Sequence, residues 1–157
     1  MDLKPYFLAM VTLVAACQTA PQERRLYDGE AYIHARWPIH SFQNYDPYPS
    51  AESAVIDAFV DFGGRDGLMR FSLGCGTFAM PFEITETARL TRPGDTSIIA
   101  PDLDKQACSD RLKTLSLELA QFMGSEPSIG YEADHMLTLR TEETVLELNS
   151  VEYVLAN

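Results

Sequence analysis

Residues 69–76 read MRFSLGCG, and this stretch decides the fold class. Residues 69–73 alternate between apolar and polar side chains, the period of two that is typical of a half-buried β-strand. The glycines on either side of Cys75 break the alternation, so we expect a bulge or a tight bend there. The stretch therefore predicts a sheet strand that ends at a turn carrying a cysteine.

Alternating segments continue on both sides of this strand. Residues 56–62 alternate before it, and 63–67 (GGRDG) has the composition of a hairpin turn. In the segment 78–84 after it, Pro81 lies on the face opposite the apolar residues and favours an edge position. The remaining predicted strands are 31–37, which Pro38 ends, 97–100, 129–133, 137–139, 145–148 and 151–155.

From residue 104 the period changes from two to between three and four. Apolar residues from Cys108 to Phe122 recur at spacings of three and four, which predicts an amphipathic helix over roughly 104–123 with Cys108 on its core-facing side. Gly124 and Pro127 favour a helix end. We expect an α+β, β-dominated fold, in which a strongly curved antiparallel sheet of about seven or eight short strands packs with one main helix.

The bulk composition limits the function classes. A chain of 157 residues with 46% hydrophobic and 22% charged residues is large enough for one domain with its own core. Its net charge of −11 argues against nucleic acid as a partner, because nucleic-acid binding depends on Lys and Arg at phosphates. The sequence contains no G-x-S-x-G, H-E-x-x-H or Walker motif, so we expect no catalytic residue, no cofactor and no metal site.

The N-terminus has the pattern of an export signal. Lys4 precedes an uncharged run over 5–16, which is shorter than the roughly 20 residues that span a bilayer and ends in small residues. This length and ending are typical of a signal peptide. The alternative is a buried helix of the domain, which would normally carry polar residues on its outer face.

Residues 13–17, LVAAC, resemble the lipobox of bacterial lipoproteins. The resemblance implies that Cys17 receives a diacylglyceryl group, that the chain is cut before it, and that the protein is anchored to a membrane through this lipid. It divides the chain into a signal peptide at 1–16, a flexible tether at 17–28 and a domain at 29–157. Gln18, which is not the Asp of inner-membrane retention, favours the outer membrane, with the domain facing the periplasm.

The three cysteines leave an odd one in an exported protein. If Cys17 is lipidated, Cys75 and Cys108 remain and are predicted to form a disulfide in an oxidising compartment. The alternative is a redox-active or catalytic thiol paired with His34, His40 or His135, although no C-x-x-C motif is present.

The order of these segments is similar to that of the META domain, the family of the HslJ envelope lipoprotein. The similarity rests on Trp37, the segment 71–76 (FSLGCG), Cys108 before the helix, and the terminal segments 137–139 (LTL) and 145–148 (VLEL). It covers roughly residues 27–150. Gly76 stands where the family usually has Asn, and 104–108 (DKQAC) lacks the family's Thr and Met. The resemblance implies a compact β-rich envelope protein without established enzymatic activity, associated with stress tolerance.

Two further groups of residues have open interpretations. Phe42, Tyr45 and Tyr48 lie in an aromatic, proline-containing loop and are the candidate binding surface for a peptide or glycan, or else pack onto the sheet. Asp102 and Asp104 are candidates for a calcium ion, or else are favourable charges before a helix.

These features predict a non-enzymatic envelope lipoprotein that binds or supports another envelope component, a protein or a glycan. The first alternative is a carrier that encloses a small apolar ligand between the sheet and the helix, and a sheet filled by Phe62, Phe71, Phe82 and Leu115 would contradict it. The second alternative is a thiol-dependent enzyme, which needs free Cys75 and Cys108.

Overall fold

A computed structural model of the chain describes residues 36–43, 45, 57–63, 66–133 and 135–150. Within these ranges the chain forms nine β-strands, one short 3₁₀ turn and one α-helix. The strands are β1 (Arg36–Phe42), β2 (Ala58–Asp61), β3 (Leu68–Leu73), β4 (Phe78–Pro81), β5 (Glu83–Ile84), β6 (Leu90–Thr91), β7 (Ser128–Ala133), β8 (Met136–Arg140) and β9 (Val145–Asn149). The 3₁₀ turn is Leu103–Lys105, and the helix, α1, is Asp110–Gly124.

Seven strands form one antiparallel sheet in the order β4-β3-β2-β1-β9-β8-β7, and β5 pairs with β6 in a separate two-stranded sheet. The large sheet curls into a half-barrel, and α1 packs against it. The fold is therefore α+β and dominated by a strongly curved antiparallel sheet with one main helix, as the sequence predicts. Consecutive strands are mostly neighbours, which is the usual outcome when short turns connect them.

β1 joins the two halves of the sheet because it changes partner along its length. Residues 36–38 pair with β2, whereas Ile39, Ser41 and Phe42 pair with β9. The register shifts between Ile39 and Ser41, which places one extra residue, His40, in the strand. Such a bulge bends a strand and increases its twist, so it contributes to the curvature of the sheet where β1 changes partner.

The prediction that Pro38 ends the first strand is wrong, because β1 runs through Pro38 to Phe42. Proline cannot donate a ladder hydrogen bond and is normally excluded from a central strand. Pro38 is the last residue of β1 paired with β2 and directly precedes the first residue paired with β9. The missing donor therefore falls at the junction between two ladders. The rest of the predicted strand, 31–35, lies outside the described residues.

The core fills the concave face of the sheet. One row of apolar side chains crosses β1 to β4 and a second crosses β1 to β7 through β9 and β8. The first row is Trp37, Val60, Phe71 and Phe78, and the second is Phe42, Leu146, Leu139 and Ile129. The rings of Phe71 and Phe78 stack with their centroids 5.5 Å apart. Full burial of each large side chain contributes about 1.5–3 kcal/mol.

The helix starts later than the periodicity predicts. α1 begins at Asp110, not near residue 104, and Cys108 lies before it in a half-buried position. The N-cap is Ser109, whose hydroxyl oxygen accepts a hydrogen bond from the Leu112 amide at 3.3 Å. Cys108 has helical spacing to Leu112, but the helix begins only after the N-cap residue Ser109, so Cys108 lies outside it. The prediction that Cys108 points into the core from a helix face is therefore wrong.

The other strand predictions have mixed outcomes. The alternating C-terminal segments form the three-stranded antiparallel meander of β7, β8 and β9. β4 lies at an edge of the sheet, as Pro81 indicated. The predicted strand at 97–100 reduces to one bridge between Ile99 and Ala79. The predicted strand at 151–155 lies outside the described residues.

Candidate functional site

The two cysteines of the domain form a disulfide bridge. Cys75 and Cys108 are 33 positions apart, with their Cα atoms separated by 5.9 Å. Cys75 is fully buried in the turn after β3, between Gly74 and Gly76. The predicted pairing is confirmed, and in this oxidised form neither sulfur is a free nucleophile. A closed loop of this length stabilises a fold by about 3–4 kcal/mol in the chain-entropy account.

Gly76 lets the backbone pass closely beside Pro101. Its φ of +72° is in the left-handed region that favours glycine. A Cβ at this position would lie 2.7 Å from the Cγ of Pro101 and 2.9 Å from its Cβ. The turn after β3 and the segment before α1 are therefore in tight contact next to the disulfide, and residue 76 has to be small.

Phe42, the first ring of the aromatic loop, does not lie at the surface. Phe42 is fully buried, and its ring lies 5.7 Å from that of Phe122 on α1, so the prediction of a binding role for Phe42 is wrong. Phe42 ends an inward-facing row of the sheet, which accounts for its burial. Tyr45 is half-buried against the core. Tyr48 lies outside the described residues.

Backbone hydrogen bonds fix the turn between these two rings. The Phe42 amide donates to the Tyr45 carbonyl at 3.0 Å, and the Tyr45 amide donates to the Phe42 carbonyl at 2.8 Å. Gln43 lies inside this turn with φ of +48°, which is uncommon for a residue other than glycine. The turn places the Gln43 side chain at the rim of an open groove.

This groove lies on the convex side of the junction between β1 and β9 and has a cavity volume of about 230 Å³. Its lining is mostly polar and consists of Ser41, Gln43, Glu143, Thr144, Val145 and Glu147. The Ser41 hydroxyl donates to Glu147 Oε2 at 2.6 Å. The lining contains two carboxylates and no basic residue, so its electrostatic preference is for positive charge.

Sequence reasoning missed the groove. Ser41 and Glu147 are 106 positions apart, and no motif links them. Two neighbouring features bring them together: the bulge at His40 and the pairing of Ser41 with Glu147 across the ladder. A bulge that re-aims a side chain has no reliable sequence signature.

Asp102, one of the two acidic residues suggested for calcium, forms an ion pair with Lys105. Asp102 lies 2.8 Å from the Lys105 ammonium, and the described ranges contain no group of three or more His, Cys, Asp or Glu able to hold a metal. His40 lies at the bulge and His135 in the β7–β8 turn, both half-buried. His34 lies outside the described residues.

The acids around the β2–β3 hairpin are paired with arginines at the surface. Asp61 contacts Arg36 at 3.4 Å, and the guanidinium of Arg36 lies 4.1 Å above the ring of Phe59. Asp66 is hydrogen-bonded to Arg70, and this hydrogen bond lowers the pKa of the Asp66 carboxyl and raises that of Arg70. These contacts fit a solvated charged face rather than a reactive site.

The comparisons with known proteins inform the fold. No protein-family model matches the chain, and a search of curated proteins finds no match. A solved NMR structure of a protein is similar over 80% of this chain and 94% of that chain, with a TM-score of 0.50 and 15% sequence identity. At this identity the similarity concerns the fold alone. In the part of the chain that the structure describes, no helix is long and apolar enough to cross a bilayer.

Proposed function

We propose that the protein is a bacterial envelope lipoprotein, anchored through a lipid on Cys17, whose META-like domain binds or supports another envelope component without catalysing a reaction. One observation carries this proposal. The Cys75–Cys108 disulfide uses two of the three cysteines and leaves Cys17, the residue that ends the lipobox-like LVAAC. A stable disulfide is typical of proteins exported to an oxidising compartment, which is where a lipoprotein resides.

The environment of the disulfide is consistent with the META-like part of the proposal. The resemblance places a cysteine after a strand and a second one before a helix, and Cys75 and Cys108 occupy such positions after β3 and before α1. Gly76 departs from the family's usual Asn. The closeness of Pro101 gives a physical reason for this departure, because any side chain at position 76 would collide with the proline ring.

The proposed function is favoured over the apolar-ligand carrier by the filling of the sheet. Phe62 and Phe71 are buried on the concave face, and Leu115 of α1 belongs to the same core cluster. The Phe82 ring meets that of Phe62 with centroids 5.8 Å apart. These side chains occupy the space between sheet and helix that an apolar ligand would need.

The proposed function is also favoured over the thiol enzyme. A catalytic thiol has to be ionised and accessible. Cys75 is fully buried, and both cysteines are bonded to each other. We therefore assign the pair a structural role within this proposal.

The partner is proposed to be an envelope protein or a glycan, and the domain is proposed to face the periplasm from the outer membrane. The net charge of −11 disfavours close contact of the domain with an anionic bilayer. A tether at 17–28 would hold the domain away from the lipid surface, so that the partner is met in the periplasm rather than in the membrane.

The test is the intact mass of the protein isolated from the membrane fraction of its own host, with free thiols alkylated before any reduction. We expect loss of residues 1–16, acyl chains on residue 17 and no alkylation of Cys75 or Cys108. A Cys17→Ser variant is the matched control and should leave the membrane fraction. An uncleaved chain without lipid and with Cys75 and Cys108 alkylated would refute the envelope assignment.

A further inference from the structure

Residues 97–108, here called the strap, cross from the region after β6 to the start of α1. Every residue of the strap is described by the structure, and none is fully buried. Ile98 and Leu103 are half-buried and pack against the edge of the core cluster. A segment with few buried contacts has a low free energy of local opening, so whatever ties the strap down determines its position.

Three ties hold the strap to the turn after β3 and to β4. The amide and carbonyl of Ile99 make two backbone hydrogen bonds with Ala79, of 2.7 and 3.0 Å. Pro101 lies against Gly76. The disulfide joins Cys108 to Cys75 and is the only covalent tie among the three.

The strap covers the outer edge of β4. β4 ends the described sheet on one side, and Ala79 directs its N–H and C=O away from β3 to Ile99. Pro81, two positions after Ala79, has no backbone N–H that could donate a hydrogen bond at this edge. An open edge is a template for pairing with another strand, so the strap acts as the cover of this edge.

The two cysteine residues differ in their exposure. Cys75 is fully buried, whereas Cys108 is half-buried and is flanked by exposed Ala107 and Ser109. Of the two residues, Cys108 is therefore the one that a thiol reagent would reach first. Attack on the Cys108 sulfur would make Cys75 the leaving group.

We propose that the Cys75–Cys108 disulfide is a redox-sensitive latch, whose reduction by a dithiol frees the strap and uncovers the outer edge of β4 while the rest of the sheet stays folded. A thiolate of the dithiol attacks the Cys108 sulfur, the S–S bond breaks, and the Cys75 sulfur leaves with the electron pair and takes up a proton. The second thiol of the reductant then displaces Cys108 from the mixed disulfide. The products are two cysteine thiols and the oxidised, disulfide form of the reductant.

The latch goes beyond the proposed envelope function and does not depend on the lipid anchor. Its test uses the full-length protein with Cys17→Ser, so that the only cysteines left are those of the disulfide. Amide hydrogen exchange is measured before and after treatment with dithiothreitol without denaturant. Complete reduction is verified by alkylation and mass.

We expect the amides of Ala79 and Ile99 to lose their protection after reduction and to exchange at least about tenfold faster than in the oxidised protein. The amides of Leu139 and Leu146 should stay strongly protected, because they open only with the whole sheet. A Cys75→Ala/Cys108→Ala variant should show the same pattern without any reductant. Unchanged exchange at Ala79 and Ile99 would mean that the strap stays docked without the disulfide and would overturn the proposal. Loss of protection at all four amides would also overturn it, because the sheet would then have opened together with the strap.

Discussion

Replacing Gly130 by Ala is expected to destabilise the domain through one contact on the convex face of the sheet. Gly130 of β7 lies opposite Thr138 of β8. A Cβ on residue 130 would lie 2.8 Å from Thr138 Oγ1, closer than real Cβ contacts come. The backbone of Gly130 is not in the left-handed region, so the clash and not the conformation excludes a side chain.

The size of the stability loss follows from the packing and hydrogen bonds of Thr138, which the new methyl group would disturb. Thr138 is fully buried, and its hydroxyl donates to the Gly130 carbonyl at 3.4 Å and accepts from Arg140 Nε at 3.4 Å. Overpacking a site of this kind costs about 1–3 kcal/mol. Ala is better than Gly in a strand by about 0.5–1 kcal/mol, which leaves a net loss of about 1 kcal/mol and at most about 2.5 kcal/mol.

Urea unfolding of the oxidised protein measures this loss as a lower midpoint with an unchanged slope. The control is a double-mutant cycle with Thr138→Ala, which removes the atom that the new Cβ meets. In that background Gly130→Ala should become neutral or stabilising by about 0.5 kcal/mol. The same loss of stability in both backgrounds would show that the contact with Thr138 is not the cause.

Three further substitutions test other parts of the structure. Ser116→Ala on α1 should raise the free energy of unfolding by about 1 kcal/mol. The Ser116 hydroxyl is buried without a hydrogen-bond partner in the described structure, and Ala favours the helix. A lower urea midpoint for the variant would contradict this. Arg70→Gln should return the lowered pKa of Asp66 upward toward about 4, measured by an NMR pH titration. Because the folded pKa lies below the unfolded one, the contribution of Asp66 to stability is present above about pH 4 and is lost as the pH falls through the folded pKa; it is small because the pair is exposed. Phe42→Ala should lower the free energy of unfolding, measured by heat or urea, by about 3–5 kcal/mol, and Tyr45→Ala should lower it by less than half of that. Equally small losses for the two variants would place Phe42 at the surface.

The sequence predicts the strands whose partners are close along the chain. The alternation of residues 69–73 and of 137–148 gives β3, β8 and β9 because one face of each strand is buried and the period of two is then imposed by the sheet. The disulfide is predictable for a different reason. Setting one cysteine aside for the lipobox leaves a single pair, so no geometry was needed.

The errors occur where a distant contact decides the local structure. Pro38 looks like a strand end, but β1 passes from β2 to β9 at that residue and tolerates a missing donor. Cys108 has helical spacing to Leu112, but Ser109 caps the helix after it. Phe42 looks like a loop residue because the bulge that extends β1 is not encoded in a recognisable pattern.

The change of partner in β1 also determines where a partner of the domain can bind. The sheet is curled, and the bulge in β1 contributes to that curvature. Its concave face packs against α1 and is filled by rings such as Phe42, Phe71 and Phe122. Binding by the interior would require these rings to leave a core of native density, at a cost of several kcal/mol for each. The same bulge brings Ser41 against Glu147 and opens the acidic groove on the convex side. Under the proposed function, recognition of an envelope component is therefore expected on the convex face and the turns, where contacts can form without unpacking the core.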